Sequence, residues 1–147
     1  MTQCREIMKR EIECLSPRET AQAAAVRMRE QNIGFLPVCD REMRVVGTVT
    51  DRDLAIRAVA DSLPPETRVD MLMTREVVAC RPDDKLEHAR ELMARHHKSR
   101  IMCLGATGRL EGVISLSDLA QLDGFSGLDT LRQVASREAR REALYIS

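Results

Sequence analysis

The alternation of apolar and polar positions along the chain occurs twice, at an offset of 65 residues. Each half begins with a short apolar run and continues with a stretch whose apolar residues recur at helical spacing. Two more apolar runs and a second helical stretch follow. The predicted strands are 12–15, 35–39 and 45–50 in the first half, and 77–80, 100–104 and 110–115 in the second. The pattern therefore predicts a β-α-β-β-α unit that occurs twice, and a fold of the α/β (α+β) class.

The helices of each unit have recognisable starting points in the sequence. The first helix is expected to open at Ser16-Pro17 or Arg81-Pro82. The second is expected to start near Asp51 or Leu116, directly after the third strand. Both units are therefore predicted to place two helices at equivalent points of the chain.

The clearest sign of duplication is GTVTDRDLA at 47–55, which returns as GVISLSDLA at 112–120. The two halves align without a gap from residue 7 to residue 55. A unit of this size buries little core alone, so the two are expected to pack around a pseudo-twofold axis. The predicted divisions are repeat one at 1–60, a linker with Pro64-Pro65 at 61–70, repeat two at 71–121, and a C-terminal connection and helix at 122–147.

Charge, hydropathy and cysteine content narrow the functional classes. The formal net charge is zero, so no general attraction to nucleic acid or to an anionic membrane is expected. No apolar run approaches the roughly 20 residues of a membrane span. The charged N-terminus has no apolar signal core, so a cytoplasmic protein is expected. The spacing of the five cysteines predicts no disulfide framework, and reduced, mostly buried thiols are expected.

A hydroxyl residue followed three positions later by an aspartate ends the last strand of both units, as Thr50 with Asp53 and as Ser115 with Asp118. One interpretation is a helix-capping box, in which each side chain bonds the backbone N–H of the other residue. The other is a nucleotide site, because a helix start and a hydroxyl suit phosphate and a carboxylate accepts from two ribose hydroxyls. Both interpretations remain open, and the recurrence of the pair gives the second more weight.

The two units resemble a tandem pair of cystathionine β-synthase (CBS) domains, also called a Bateman module. The resemblance rests on MKREIECLSP, GFLPVCD and VVGTVTDRDL in the first repeat and on MTREVVACRP, SRIMCL and LEGVISLSDL in the second. It covers about residues 5–121, although Leu36-Pro37-Val38 reads Ile101-Met102-Cys103 in the second repeat. It implies an intramolecular pseudodimer with two clefts for adenine nucleotides or related adenosyl ligands, and a homodimer of such modules.

The resemblance also implies that each cleft combines residues of both repeats. One cleft is expected to contain Thr50, Asp53, Val77, Val78, Ser99 and Arg100, with Lys98 close by, and the other Ser115, Asp118, Ile12, Glu13, Gly34 and Phe35. A cation makes a stronger hydrogen bond to phosphate than a neutral group does. Lys98 and Arg100 therefore predict that the Asp53 cleft binds a nucleotide more tightly than the Asp118 cleft.

These features predict a regulatory sensor of AMP, ADP, ATP or another adenosyl compound, which needs no cofactor and acts through an effector protein or a change of oligomer. The alternative is a structural or protein-interaction module with vestigial clefts. No catalytic motif is visible, so an enzyme is not expected, and slow nucleotide hydrolysis is the least supported reading. His96-His97 with Cys80 and Cys103 fits no common zinc spacing, and a solvated helix end is expected there. A C-terminal helix from Thr130 is expected to pack on the module or its dimer mate.

Overall fold

The computed structural model describes residues 1–122, so the predicted C-terminal helix lies outside the described residues. The helices are α1 (Ala21–Gln31), α2 (Asp51–Asp53, continued by a π-helix over Leu54–Val59), α3 (Leu86–His96) and α4 (Leu116–Leu122). The strands are β1 (Phe35–Cys39), β2 (Val45–Thr50), β3 (Ala79–Cys80), β4 (Arg100–Leu104) and β5 (Leu110–Ser115). Short 3-10 helices occupy Cys4–Glu6 and Val69–Met71. None of the helices within residues 1–122 is long and apolar enough to cross a bilayer.

The elements recur at the offset that the sequence pattern predicts. Helices α1 and α3, strands β1 and β4, strands β2 and β5, and the two 3-10 helices are each separated by 65 positions. The second helices start at Asp51 and Leu116, as expected. The prediction of a mixed helix and strand unit that occurs twice is confirmed.

The first helix of each unit starts later than predicted. Helix α1 begins at Ala21, because the Thr20 side chain caps it by accepting the N–H of Ala23 at 3.1 Å. The preceding residues form a separate turn, in which the Ser16 N–H donates to the Glu19 carboxylate at 2.7 Å. In the second unit the Arg81 N–H makes the matching bond to Asp84 at 2.8 Å. The proline dipeptides therefore open a turn and not the helix itself.

The first strand of each unit is also shorter than predicted. Instead of a strand at 12–15, Leu15 makes one parallel bridge to Val38 of β1. In the second unit β3 contains only Ala79 and Cys80, and it pairs in parallel with β4. Strand β1 pairs antiparallel with β2, and the larger sheet has the order β3-β4-β5.

The chain packs as two compact units, and the residue ranges of these units differ from those of the two sequence repeats. The Asp118 unit comprises Met1–Ile12, Val78–Ala106 and the described part of Glu111–Ser147, and the Asp53 unit comprises Glu13–Val77 and Thr107–Leu110. The Asp118 unit, which is built mainly from repeat two, thus contains the opening segment of repeat one. The Asp53 unit, which is built mainly from repeat one, contains the opening segment of repeat two. We call residues 2–9 the N-terminal segment and residues 67–74 the middle segment.

Backbone pairing holds these two segments in equivalent ways. In the Asp118 unit, Lys9 of the N-terminal segment forms an antiparallel bridge with Val113 of β5. In the Asp53 unit, Thr74 of the middle segment forms the same bridge with Thr48 of β2. Each segment therefore lies along the last strand of its unit, directly before the second helix.

A glycine in the last strand makes room for each segment. A Cβ atom on Gly112 of β5 would lie 2.5 Å from Sδ of Met8, and a Cβ atom on Gly47 of β2 would lie 2.7 Å from Sδ of Met73. Both methionines are buried in the core of their unit. The glycine that opens the repeated sequence motif is thus explained by close packing against the segment.

The cores are aliphatic and contain free thiols. The five cysteines form no disulfide, and all except Cys14 are buried. Cys4, Cys80 and Cys103 lie together in the core of the Asp118 unit, where the Sγ of Cys80 is 3.7 Å from that of Cys4 and 3.6 Å from that of Cys103. The expectation of mostly buried thiols agrees with this arrangement.

Candidate functional site

The repeated hydroxyl-x-x-aspartate pairs form capping boxes in both units. The Asp53 N–H donates to the Thr50 hydroxyl at 3.1 Å, and the Thr50 N–H donates to Oδ2 of Asp53 at 3.0 Å. The Asp118 N–H donates to the Ser115 hydroxyl at 3.1 Å, and the Ser115 N–H donates to Oδ2 of Asp118 at 2.9 Å. The capping interpretation is therefore correct, and it uses one carboxylate oxygen of each aspartate.

The second carboxylate oxygen has a different environment in each unit. Oδ1 of Asp118 lies 3.4 Å from Nζ of Lys9. Oδ1 of Asp53 accepts the Thr74 hydroxyl at 3.3 Å and lies 3.8 Å from Nε of Arg57, one helical turn away. Both aspartate side chains are only 14% exposed. Each half-buried acid thus presents one oxygen to a partner that lies outside the capping pair.

The pKa of Asp118 reflects this environment. Burial of the carboxyl acts to raise its pKa, since water stabilises the charged form. Hydrogen bonding to Ser115 and the positive charge of Lys9 act in the opposite direction, and together they hold the pKa below its ordinary value. Asp118 is therefore ionised at neutral pH and able to accept hydrogen bonds.

A cavity of about 390 Å³ lies in the Asp118 unit beside this capping pair. Its lining residues are Ser99, Arg100, Ser115, Leu116, Ser117 and Ala120. The Leu116 N–H donates to the Ser99 carbonyl at 2.8 Å and thereby holds the start of β4 against the start of α4. The hydroxyls of Ser115 and Ser117 lie 3.0 Å apart. The residues that line the cavity thus include one arginine and three serines, and most of its lining surface is apolar.

The equivalent positions of the Asp53 unit have the same backbone contact but other side chains. The Asp51 N–H donates to the Gly34 carbonyl at 3.0 Å, and Phe35 pairs with Thr50 across β1 and β2. A Cβ atom on Gly34 would lie 2.8 Å from the Asp51 carboxylate. Phe35 therefore stands where the Asp118 unit has Arg100, and Asp51 stands where it has Leu116.

Within each unit, these contacts bring together residues that the resemblance assigned to different clefts. Ser99 and Arg100 line a cavity with Ser115, because Leu116 bonds the Ser99 backbone. Gly34 and Phe35 contact Asp51 and Thr50 within the Asp53 unit. The charge of Arg100 is thus associated with the Asp118 pair. The expected clefts that combine residues of both repeats stay a prediction.

The remaining expected site residues lie on different parts of the two units. Val78 packs against the core of the Asp118 unit, and Ile12 is half-buried at the end of its N-terminal stretch. Val77 is half-buried in the Asp53 unit, and Glu13 of that unit lies 4.0 Å from the guanidinium of Arg27. Lys98 is exposed, and its N–H continues the end of α3 by donating to Met93 at 2.9 Å.

Several residues that contact a capping aspartate or line the cavity were not predicted from the sequence: Lys9, Arg57, Thr74, Leu116, Ser117 and Ala120. Lys9 and Thr74 do occupy equivalent positions in the repeat alignment. Each of them contacts an aspartate of the other sequence repeat. The sequence does not reveal this contact, because it does not show that each opening segment packs in the unit of the other repeat. Comparing the residue types at equivalent positions would have singled them out as a cation and a neutral hydroxyl.

The two histidines considered as metal ligands lie at the end of α3. His97 is its C-cap in the left-handed conformation with φ 54°, which ends the helix. Residues 1–122 contain no group of three or more His, Cys, Asp or Glu side chains arranged to hold a metal ion.

The chain belongs to the CBS domain family, because the family model for the CBS domain matches residues 4–59 and 69–123. The CBS domain-containing protein YhcV of Bacillus subtilis is 34% identical over 120 residues, which are 82% of this chain and 84% of that protein. Hypoxic response protein 1 of Mycobacterium tuberculosis is 32% identical over 122 residues, which are 82% of this chain and 85% of that protein. The chain therefore spans most of the length of both relatives.

Solved structures agree with the family assignment. Hypoxic Response Protein I with two coordinated zinc ions has a TM-score of 0.75 at 31% identity, and the match covers 82% of this chain and 98% of that one. The CBS domain pair of protein MJ0100, in complex with 5'-methylthioadenosine and S-adenosyl-L-methionine, has a TM-score of 0.74 at 23% identity, with coverage of 84% and 97%. The tandem CBS fold expected from the sequence is confirmed.

Proposed function

We propose that this protein is a regulatory module that binds an adenosyl ligand carrying phosphate, such as AMP, ADP or ATP. The observation that carries the proposal is the cavity of the Asp118 unit, which sets Arg100 and serine hydroxyls beside the Ser115–Asp118 pair. We call Lys9, Ser99, Arg100, Ser115, Ser117 and Asp118 the Asp118 site. Its volume of about 390 Å³ is within the usual range for small-molecule pockets.

Each part of a nucleotide finds suitable chemistry in the Asp118 site. A guanidinium and neighbouring hydroxyls are good partners for phosphate oxygens. An ionised carboxylate accepts hydrogen bonds from two vicinal ribose hydroxyls, and Asp118 is ionised at neutral pH. Leu116 and Ala120 offer apolar contacts for a sugar or base edge. The proposal therefore places phosphate near Arg100 and ribose near Asp118.

The Asp53 site is proposed as a second and weaker phosphate site. We define it as Gly34, Phe35, Thr50, Asp51, Asp53 and Thr74. Phe35 contributes an aromatic face and no charge where the Asp118 site has Arg100, and the exposed Asp51 adds a negative charge. The proposed order of phosphate affinity is thus the reverse of the order expected from sequence, because Arg100 accompanies Ser115.

The family supports binding and regulation more than catalysis. The CBS domain pair of MJ0100 holds adenosyl compounds, so the fold is able to accommodate this ligand class. The family matches account for residues 4–59 and 69–123, and they include no catalytic domain. We propose that ligand occupancy in a cytoplasmic protein is transmitted to an effector protein or to a change of oligomer.

One observation favours an interaction role beside ligand binding. Ile56, Val59 and Met71 of the Asp53 unit are large apolar side chains with exposed fractions of 46%, 76% and 75%. Exposed apolar side chains are common at protein interfaces. We propose a homodimer, and light scattering that gives only the 16.6 kDa monomer at micromolar concentration would contradict it.

Calorimetric titration with AMP, ADP, ATP, NAD and S-adenosylmethionine tests the proposed function. We expect wild-type protein to bind at least one phosphorylated ligand. The double variant Asp53→Asn/Asp118→Asn should lose most of this binding, whereas it keeps a side-chain oxygen for each capping box. The double variant Asp61→Asn/Glu66→Gln, at two exposed positions outside both sites, serves as a charge-matched control. Absence of heat and of thermal stabilisation with every compound would contradict the proposal.

A further inference from the structure

The N-terminal and middle segments deliver one side chain each to the two sites from equivalent backbone positions. Lys9 exchanges two backbone hydrogen bonds with Val113, of 2.9 and 3.0 Å, and Thr74 exchanges two with Thr48, of 2.8 and 2.9 Å. The backbone at positions 9 and 74 is therefore held in the same way. A difference between the sites at these positions comes from the side chain alone.

The two side chains face the site aspartates with different charge. Nζ of Lys9 lies 3.4 Å from Oδ1 of Asp118, and the Thr74 hydroxyl donates to Oδ1 of Asp53 at 3.3 Å. The same oxygen thus meets a cation in one site and a neutral hydroxyl in the other. Among the ion pairs of residues 1–122, the one at Asp53 involves Arg57, which comes from the helix of Asp53 itself.

The exposure of Lys9 makes it able to change partner. Its side chain is 74% exposed, whereas that of Asp118 is 14% exposed. A well-hydrated ammonium on a long stem moves between two acceptors with little loss of hydration. Arg57 is more constrained, because its guanidinium also lies near the Leu72 and Met73 carbonyls at 3.4 and 3.3 Å.

Ribose binding at Asp118 has a different consequence for ligands with and without phosphate. Ribose hydroxyls that bond Oδ1 of Asp118 compete with Lys9 for this oxygen. A ligand that carries a phosphate offers Lys9 a new anion in exchange, whereas adenosine offers none. The exchange therefore favours the phosphorylated ligand at this site.

We propose that Lys9 is a specificity-determining residue of the Asp118 site, which selects adenosyl ligands that carry a phosphate over those that do not. The inference rests on the proposed function and deepens it. Thr74 gives the Asp53 site no equivalent selection, since its hydroxyl has no charge to transfer to a ligand. The two sites of one chain thus differ in the class of adenosyl ligand that they favour.

Titration of the full chain with AMP and with adenosine tests the inference. All variants of the Asp118 site also carry Asp53→Ala, which removes the Asp53 site. The measured affinity then belongs to the Asp118 site. In this background Lys9→Thr should lower the ratio of AMP affinity to adenosine affinity by about three- to tenfold, which is less than a full charge-assisted hydrogen bond because Lys9 gives up its ion pair with Asp118. Lys9→Arg should keep the ratio. In the Asp118→Ala background, Thr74→Lys should raise it, and thermal unfolding checks that every variant is folded.

The outcomes separate this inference from the proposed function. An unchanged ratio in Lys9→Thr, with both ligands still bound, overturns the inference and leaves the proposed function intact. Binding that Asp53→Ala abolishes in full overturns the inference and the proposed placement of the ligand at the Asp118 site, but not the proposal that the module binds an adenosyl ligand. Absence of binding of AMP and of adenosine by wild-type protein overturns both. A ratio in Thr74→Lys that does not rise contradicts the claim that this position sets the selectivity.

Discussion

The Asp118 and Asp53 sites share the same backbone contacts but differ in electrostatics. Both are built on a capping box at the end of the last strand, and both receive a side chain from the segment that packs along this strand. The Asp118 site adds Lys9 and Arg100 to this frame, whereas the Asp53 site has Thr74 and Phe35 there. The two sites thus share these contacts and differ in the charge of the side chains that surround them.

The shared feature with the largest expected effect is the glycine of each last strand. Gly112→Ala and Gly47→Ala should each lower the free energy of unfolding by about 1–3 kcal/mol, because a Cβ atom would overlap a buried methionine. Urea denaturation monitored by circular dichroism measures the change. If the glycine makes room for a buried methionine in both units, both substitutions destabilise the protein.

A double variant sharpens the interpretation of these glycines. Met8→Ala removes the atoms that a Cβ on Gly112 would meet at 2.5 Å. Gly112→Ala should therefore cost less in the Met8→Ala background than in wild-type protein. Because Met8→Ala keeps its own Cβ, which a Cβ on Gly112 would meet at 2.8 Å, additive effects would show only that Cγ and Sδ of Met8 are not the cause.

The capping aspartates should have the next largest effect on stability. Asp118→Ala and Asp53→Ala each remove a capping side chain and should cost about 1 kcal/mol of unfolding free energy. Asp118→Asn and Asp53→Asn should cost less, because an amide oxygen still accepts the backbone N–H. Equal losses for alanine and asparagine would contradict the capping role.

The pH dependence of stability should differ between wild-type protein and Asp118→Asn. The pKa of Asp118 is lowered in the folded protein, so its carboxylate stabilises the fold at pH values above its unfolded pKa of about 3.9. This contribution is lost as the pH falls through the lower native pKa. The stability difference between wild-type protein and Asp118→Asn should therefore be constant near neutrality and shrink below about pH 4. A difference that grows in acid would contradict the sign of the pKa change.

The smallest effects are expected at the side chains that the two segments contribute. Thr74→Val removes a hydroxyl bond to Asp53 and should cost about 0.5–1 kcal/mol. Lys9→Thr removes a largely exposed ion pair and should change stability by less than about 1 kcal/mol, with an effect that declines in high salt. Thermal unfolding at low and high ionic strength measures both. The stability change caused by Thr74→Val should depend less on salt than the change caused by Lys9→Thr. Equal salt dependence would contradict the claim that only Lys9 contributes a charge.

The sequence predicted the regular elements of the fold well and the sites only in part. Strands β1, β2, β4 and β5 have the predicted bounds, since their apolar runs end at polar turns. Helix α1 starts later than predicted, because local bonds between Ser16 and Glu19 compete with the helix. The capping pairs were visible as a short-range pattern.

The partners of these pairs were not visible, because they come from distant parts of the chain. Lys9 reaches Asp118 only because the N-terminal segment packs along β5. The association of Arg100 with Ser115 depends on a backbone bond between Ser99 and Leu116. Repeat alignment shows which positions are equivalent, but it does not show which unit receives each segment.

The measurement that tests the central claim most directly is a calorimetric comparison of AMP with adenosine in Arg100→Ala and in wild-type protein. Arg95→Ala is the control, since Arg95 is an exposed arginine of the same unit outside the cavity. A hydrogen bond to a charged group contributes about 1.5–3 kcal/mol, so Arg100→Ala should weaken AMP binding roughly tenfold or more. Adenosine binding should change far less, and Arg95→Ala should change neither. Equal weakening of AMP and adenosine, or no weakening of AMP, would contradict a phosphate site at Arg100.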